Sequence, residues 1–155
     1  EGGHTIKRDI KFDYKKNLAT VKDHKYSTTK DFNIGDVQDM ISSFYYLRKI
    51  NIDDLTVGQE IDLDMFFDSR TYPFKLKFLK REMIRFKGGK IKTLKFRPLV
   101  QLGRVFKERE SVTIWISADD NKVPIKLKAF LSFGSLQAEL KAYKGLTNSF
   151  EFIFD

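Results

Sequence analysis

Apolar and polar residues alternate with period two along most of the chain, the pattern of strands that bury one face. Ile6, Ile10, Phe12 and Tyr14 are interleaved with charged residues, and Ile10 and Phe12 are expected to face a core. Lys15-Lys16-Asn17 turns the chain into a second strand over 18–22. Ile61, Leu63, Met65 and Phe67 continue the rhythm up to a turn at Asp68-Ser69-Arg70. Pro73 opens a strand in which Phe74, Leu76 and Phe78 alternate with Lys75 and Lys77. Gly88-Gly89 predicts a tight hairpin turn, because glycine accepts the positive φ such turns require. Beyond it Leu94 and Phe96 alternate with Lys95 and Arg97. Strands over 112–117 and 125–133 flank Asp119-Asp120-Asn121, and Gly134-Ser135 turns into a strand over 136–143. That strand puts Leu136, Ala138, Leu140 and Ala142 on one face, and Phe150, Phe152 and Phe154 alternate at the end.

One segment follows a different period. From Asp36 to about Arg48 the apolar residues Val37, Met40, Ile41, Phe44 and Leu47 fall on one helical stripe. Asn33 or Asp36 suits the N-cap, and Arg48 and Lys49 suit the carbonyl end. The stripe is expected to pack on the sheet. The fold class is therefore mainly β (α+β): a curved antiparallel meander sheet or half-barrel of about eight to ten strands, packed on one amphipathic helix. Residues 1–155 form a single β-rich domain, with no βαβ alternation to suggest a parallel sheet.

Composition removes several kinds of chemistry. With no cysteine there is no disulfide, thiolate nucleophile or Cys-based metal site. The two histidines, His4 and His24, stand in no nucleophile or metal-ligand spacing. Asp62 with Asp64, and Asp119-Asp120-Asn121, offer carboxylates. The second group lacks the Asp-x-Asp-x-Asp-Gly order of a calcium loop and reads as an ordinary turn. Gly88-Gly89-Lys90 lacks the spacing of a phosphate loop. No catalytic residue, metal site or cofactor is expected. No apolar run reaches the roughly 18–20 residues that span a bilayer as a helix.

Charge adds a candidate surface. The net charge is +8, and residues 70–107 hold thirteen Lys or Arg against Glu82 alone, leaving the remainder net acidic. Lys75, Lys77, Lys95 and Arg97 occupy the slots opposite the apolar residues of their strands. They are expected to form one solvent-facing patch, available to an anionic partner or acting as a solubilising surface. Trp115 alternates with Ile114 and Ile116, so it is expected on the second face together with Lys126, Lys128 and Phe130. Trp115 and Phe130 are candidate ligand or partner contacts. Nucleic acid is not an expected partner, since phenylalanines and lysines lie on opposite faces and cannot jointly stack bases and neutralise phosphates.

Several phrases in order carry a resemblance: Glu1-Gly2-Gly3 before Phe12-Asp13-Tyr14, Ser43-Phe44-Tyr45-Tyr46-Leu47-Arg48, Tyr72-Pro73 and Lys95-Phe96-Arg97-Pro98-Leu99-Val100. More specific are the blocks Ile114-Trp115-Ile116-Ser117 through Val123-Pro124, and Phe133-Gly134-Ser135-Leu136 with Tyr143-Lys144-Gly145-Leu146. Together they resemble the exported bacterial family called domain of unknown function 3108. The resemblance implies an envelope (periplasmic) protein of Gram-negative bacteria, made with a signal peptide, and a curved sheet like that of lipoprotein carriers. It also implies further strands before Glu1, whose absence would leave the strand at 6–14 an open edge for self-association. It supplies no catalytic residues. The function expected is a non-enzymatic envelope binding or carrier-like domain for an apolar or amphipathic lipid-like ligand. The alternative is a structural or protein-interaction module of the envelope; a hydrolase using unrecognised carboxylates is a third reading.

Overall fold

The computed structural model describes residues 6–51, 53–100, 112–131 and 134–154. Among them the chain forms antiparallel sheets and one short helix, with the strands divided among three sheets where a single meander was expected. Strands β1 (Arg8–Asp13), β2 (Leu18–Asp23) and β3 (Thr28–Asn33) make the first, in the order β1-β2-β3. Helix α1 (Met40–Tyr46) follows, extended by a 3-10 turn over Leu47–Lys49. Next come β4 (Glu60–Asp62), β5 (Met65–Phe67), β6 (Arg70–Tyr72), β7 (Phe74–Phe86) and β8 (Gly89–Val100). The chain ends with β9 (Val112–Ser117), β10 (Pro124–Leu131), β11 (Gly134–Glu139) and β12 (Ile153–Phe154). The main sheet runs β11-β10-β9-β8-β7-β4, with β12 also paired to β8, and β5 and β6 form a separate hairpin.

The strand expected over 61–67 is therefore two. Leu63 donates its N–H to Phe74 O, and the chain then leaves the main sheet at Asp64. Its other half, β5, meets Gln38 in a parallel bridge, with Gln38 N–H donating to Asp64 O and Phe66 N–H to Gln38 O. This capture explains the shortened helix. Asp36 is a bend and Gln38 is held in the bridge, so the helix starts after Asp39, whose carboxylate accepts from Ile41 N and Ser42 N at 2.8 and 2.9 Å. Asp39 replaces Asn33 and Asp36 as the cap.

The stripe on that helix is divided as well. Val37 packs with Ala19, Val21, Ile34 and Phe66 under the three-stranded sheet. Leu47 joins the main-sheet core of Leu76, Phe78, Leu94, Phe96 and Ile114. Ile41, expected in the core, is 64% exposed. Arg8 ties the first sheet to the β5–β6 turn by bonding both Asp23 and Asp68. Phe66 inserts its ring against Phe12 and Phe32, at centroid distances of 5.9 and 5.7 Å.

The long β7–β8 hairpin carries a change of face. Its ladder is regular except between Phe78 and Lys80, where Leu79 is an extra residue opposite the step from Phe96 to Lys95. Phe78 and Phe86 are an even number of residues apart, yet the bulge sends them to opposite faces. On β8, which has no extra residue, the change appears as buried Ile91 in one phase and buried Leu94 and Phe96 in the other. Near the bulge the helix side is buried. Near the turn the opposite side is buried, under a cluster of Phe86, Ile91, Val123 and Ile125 joined by Leu140, Leu146, Phe150 and Phe152.

The turn itself is Lys87-Gly88, both at positive φ, closed by the Phe86–Gly89 pair. Gly89 has a different task from the one expected. A Cβ there would collide with Ile153 O and the Phe152 ring, so glycine lets β12 approach β8. From 140 to 152 the chain forms no regular strand. Leu136 and Ala138 do share a face of β11, and that face is open to solvent, with Leu136 58% exposed.

Candidate functional site

The register confirms that Lys75, Lys77, Lys95 and Arg97 share one face. Lys77 is opposite Arg97, while Lys95 and Lys75 lie two residues away on their own strands. The patch is more neutralised than its sequence suggests. Lys75 Nζ lies 3.4 Å from Glu60 and 3.2 Å from Asp62, two acids delivered by the neighbouring strand β4. Their hydrogen bonds raise the Lys75 pKa above its ordinary value. Lys95 Nζ is 3.4 Å from Glu82. The four side chains are half-buried rather than projecting freely.

Trp115 lies opposite Lys95 on one side and Lys126 on the other, on the face away from Ile114 and Ile116, as alternation requires. It is 9% exposed. The Lys95 and Lys126 ammonium groups lie 5.1 and 6.0 Å from its ring centroid, and its indole N–H donates to Glu82 Oε1 at 2.7 Å. Burial alone would raise the Glu82 pKa. Hydrogen bonds from Lys80 and Trp115, with the charge of Lys95, outweigh burial and hold it below the ordinary Glu value. This arrangement is a closed polar cluster with little room for a ligand. Phe130 does share the face, but it stands four residues from Lys126, about 13 Å along the strand. It is 51% exposed, with Lys128 over its ring at 4.6 Å. The structure does not bring Trp115 and Phe130 into one site.

His24 and the Asp119-Asp120-Asn121 turn read from the sequence are engaged in local structure. His24 Nε2 and Asp9 lie 2.7 Å apart on the surface, and the His24 bond lowers the Asp9 pKa. Asp119 Oδ1 accepts from Ser117 Oγ at 2.7 Å and from the Asn121 N–H at 3.0 Å, which makes it a turn residue. Buried Asn121 then reaches the C-terminal segment. Its Nδ2 donates to Asn148 O and Ser149 O at 3.1 and 3.2 Å, and its Oδ1 accepts from Asn148 N at 3.2 Å. Among the described residues no three His, Asp or Glu side chains converge to hold a metal ion.

A cleft of about 500 Å³ opens elsewhere, between α1 and the far end of the main sheet. Its helix wall carries Ile41, Tyr45 and Arg48. Its floor is Ile114 with Val123, Ile125 and Leu127 from β9, β10 and the turn between them. The third wall is the stretch from Leu140 through Tyr143 and Lys144 to Leu146. Ile41 and Tyr45 are both more than 60% exposed, so this helix face is apolar and uncovered. The sequence contains a signal for it. Ile41 and Tyr45, four residues apart, fall on one face of α1. Nothing in strand periodicity, however, shows that 140–146 comes back to form a wall.

The family model described as a protein of unknown function, DUF3108, matches residues 1–141. The chain belongs to the DUF3108 family. No curated protein matches it, and no solved structure does. The family match in this DUF3108 chain covers the helix wall and floor of the cleft and stops inside its third wall, before the segment that Asn121 anchors. Among the described residues, no helix is long and apolar enough to cross a membrane.

Proposed function

We propose that this DUF3108 domain is a non-enzymatic binding or carrier-like module of the cell envelope that takes an apolar or amphipathic, lipid-like ligand. The cleft beside α1 is the observation that carries this reading. Its volume of about 500 Å³ falls within the range of about 300–1,000 Å³ typical of ligand pockets, and most of its lining is apolar. Ile41 and Tyr45 leave more apolar surface in water than packing of the helix requires, and a ligand chain would cover it. The envelope location rests on the resemblance to an exported family.

The test is binding of an environment-sensitive naphthylamine dye. The wild-type chain should enhance its fluorescence saturably, and Ile41→Glu should abolish the enhancement. Because Ile41 is exposed, that variant should keep its fold by circular dichroism. No enhancement, or enhancement unchanged in Ile41→Glu, refutes the cleft as a binding site. A protein-interaction module is the second reading, favoured by β11, an outer strand exposed at every position. Concentration-dependent association abolished by Leu136→Lys, without dye binding, would favour it.

A further inference from the structure

We infer that the ligand of this cleft is a single-chain acidic amphiphile, its anionic head held at the mouth by Arg48 and Lys144. The inference rests on the cleft reading and adds the charge of the ligand. Four charged side chains line the cleft: Arg48, Lys126, Glu139 and Lys144. Two of them cancel, because Lys126 Nζ lies 3.0 Å from Glu139 Oε1, which also accepts from Gln137 Nε2 at 2.9 Å. Arg48 and Lys144 remain, on opposite walls, and among the described residues neither has a carboxylate within ion-pair distance. Both are exposed, whereas the apolar floor of Ile114, Val123 and Ile125 is buried.

The helix end does not oppose this assignment. A carbonyl terminus repels anions, but here Lys122 Nζ donates to Arg48 O at 3.2 Å and brings a third cation to the same rim. A guanidinium and an ammonium on opposite walls of an apolar cleft match a carboxylate or phosphate at the end of an alkyl chain. They disfavour a cationic head by direct repulsion and give a neutral head no charge-assisted bond. The volume suits one chain rather than a two-chain lipid held whole.

Displacement of the naphthylamine dye by laurate, dodecyl phosphate, dodecanol and dodecyltrimethylammonium, each below its micelle concentration, tests the assignment. Laurate and dodecyl phosphate should displace the dye at concentrations about tenfold or more below that of dodecanol, with the cation weakest. The double variant Arg48→Gln/Lys144→Gln should bring the two anions to the level of dodecanol and leave dodecanol unchanged. A preference between laurate and dodecyl phosphate identifies the head. Equal displacement by dodecanol and the anions, or anion binding unaffected by the double variant, overturns the inference while the cleft reading stands. Failure of every probe to displace, or absence of dye binding, removes both.

Discussion

Deleting Leu79 and deleting Lys95 remove one residue each from paired strands a few ångströms apart, and they should have opposite consequences. Leu79 is the extra residue of the β7 bulge. Without it, Lys80 still faces Lys95 and Phe78 still faces Phe96, so the ladder becomes regular and every side chain keeps its face. The loss is one half-buried leucine and some local twist, about 1–2 kcal/mol. Lys95 has no such slack. Its deletion must slip one side of β8 by one residue. If the turn side holds, Phe96, which is fully buried, moves to the face of Trp115, and Arg97 enters the slot between Phe78 and Ile114. Exposing the phenylalanine costs about 1.5–3 kcal/mol, and an unpaired guanidinium in the core about 3–5 kcal/mol more. The sum of about 5–8 kcal/mol is comparable with the whole stability of a domain, about 5–15 kcal/mol. Thermal melts followed by circular dichroism should show a cooperative transition for the Leu79 deletion and none for the Lys95 deletion. Equal effects, or a worse outcome for Leu79, would refute the face change.

Other perturbations follow from the polar clusters. Asn121→Ala should cost about 1–3 kcal/mol, since it removes both donors and the acceptor that hold 148–149, and amide exchange should accelerate at Asn148. Trp115→Phe removes the indole donor from Glu82 and should lower the urea midpoint by an amount equivalent to about 1–3 kcal/mol. The Glu82 pKa is lower folded than unfolded, so its stabilisation is complete above the ordinary value of 4.5 and is lost as pH falls through the folded value. The stability gap between wild type and Glu82→Gln, measured by urea titration, should therefore be constant near neutrality and shrink on acidification.

Strand existence was legible wherever one face is buried. Ile10 and Phe12, Phe74 to Phe78, and Leu94 and Phe96 all pack as alternation requires, and Trp115 takes the predicted face. β3 was not legible, because every residue but Phe32 is polar and exposed, and a single apolar position gives no alternation to read. The bulge was hidden for a related reason. Leu79 keeps Phe78 and Phe86 in phase along the sequence while separating them in space, so periodicity alone assigns both to one core. The helix limits were missed because tertiary pairing of Gln38 with β5 overrode the stripe that begins at Val37. The basic patch was correctly placed on one face, but its counter-charges Glu60 and Asp62 come from a strand whose partner could not be read from sequence.

The cleft depends on these departures from the simple pattern. A helix beginning at Asp36 and flush with the sheet would turn Ile41 inward and leave no apolar wall. Capture of Gln38 by β5 divides the stripe, so Val37 serves one core, Leu47 another, and Ile41 with Tyr45 neither. The opposite wall has no strand partner of its own across 141–146. It is held at one end where Leu140 N–H donates to Ile125 O, and beyond the other by the Asn121 clamp on 148–149. Between these points the wall has side-chain contacts, Leu146 in the Phe86 cluster and Tyr143 on Phe150, but no strand ladder, so it can yield to ligands of different girth more readily than the floor. Loosening the clamp should therefore alter ligand affinity without touching any residue of the lining. Asn121→Ala is expected to weaken dye binding while Ile41, Tyr45 and Leu127 remain in place, a result that a preformed rigid pocket would not give.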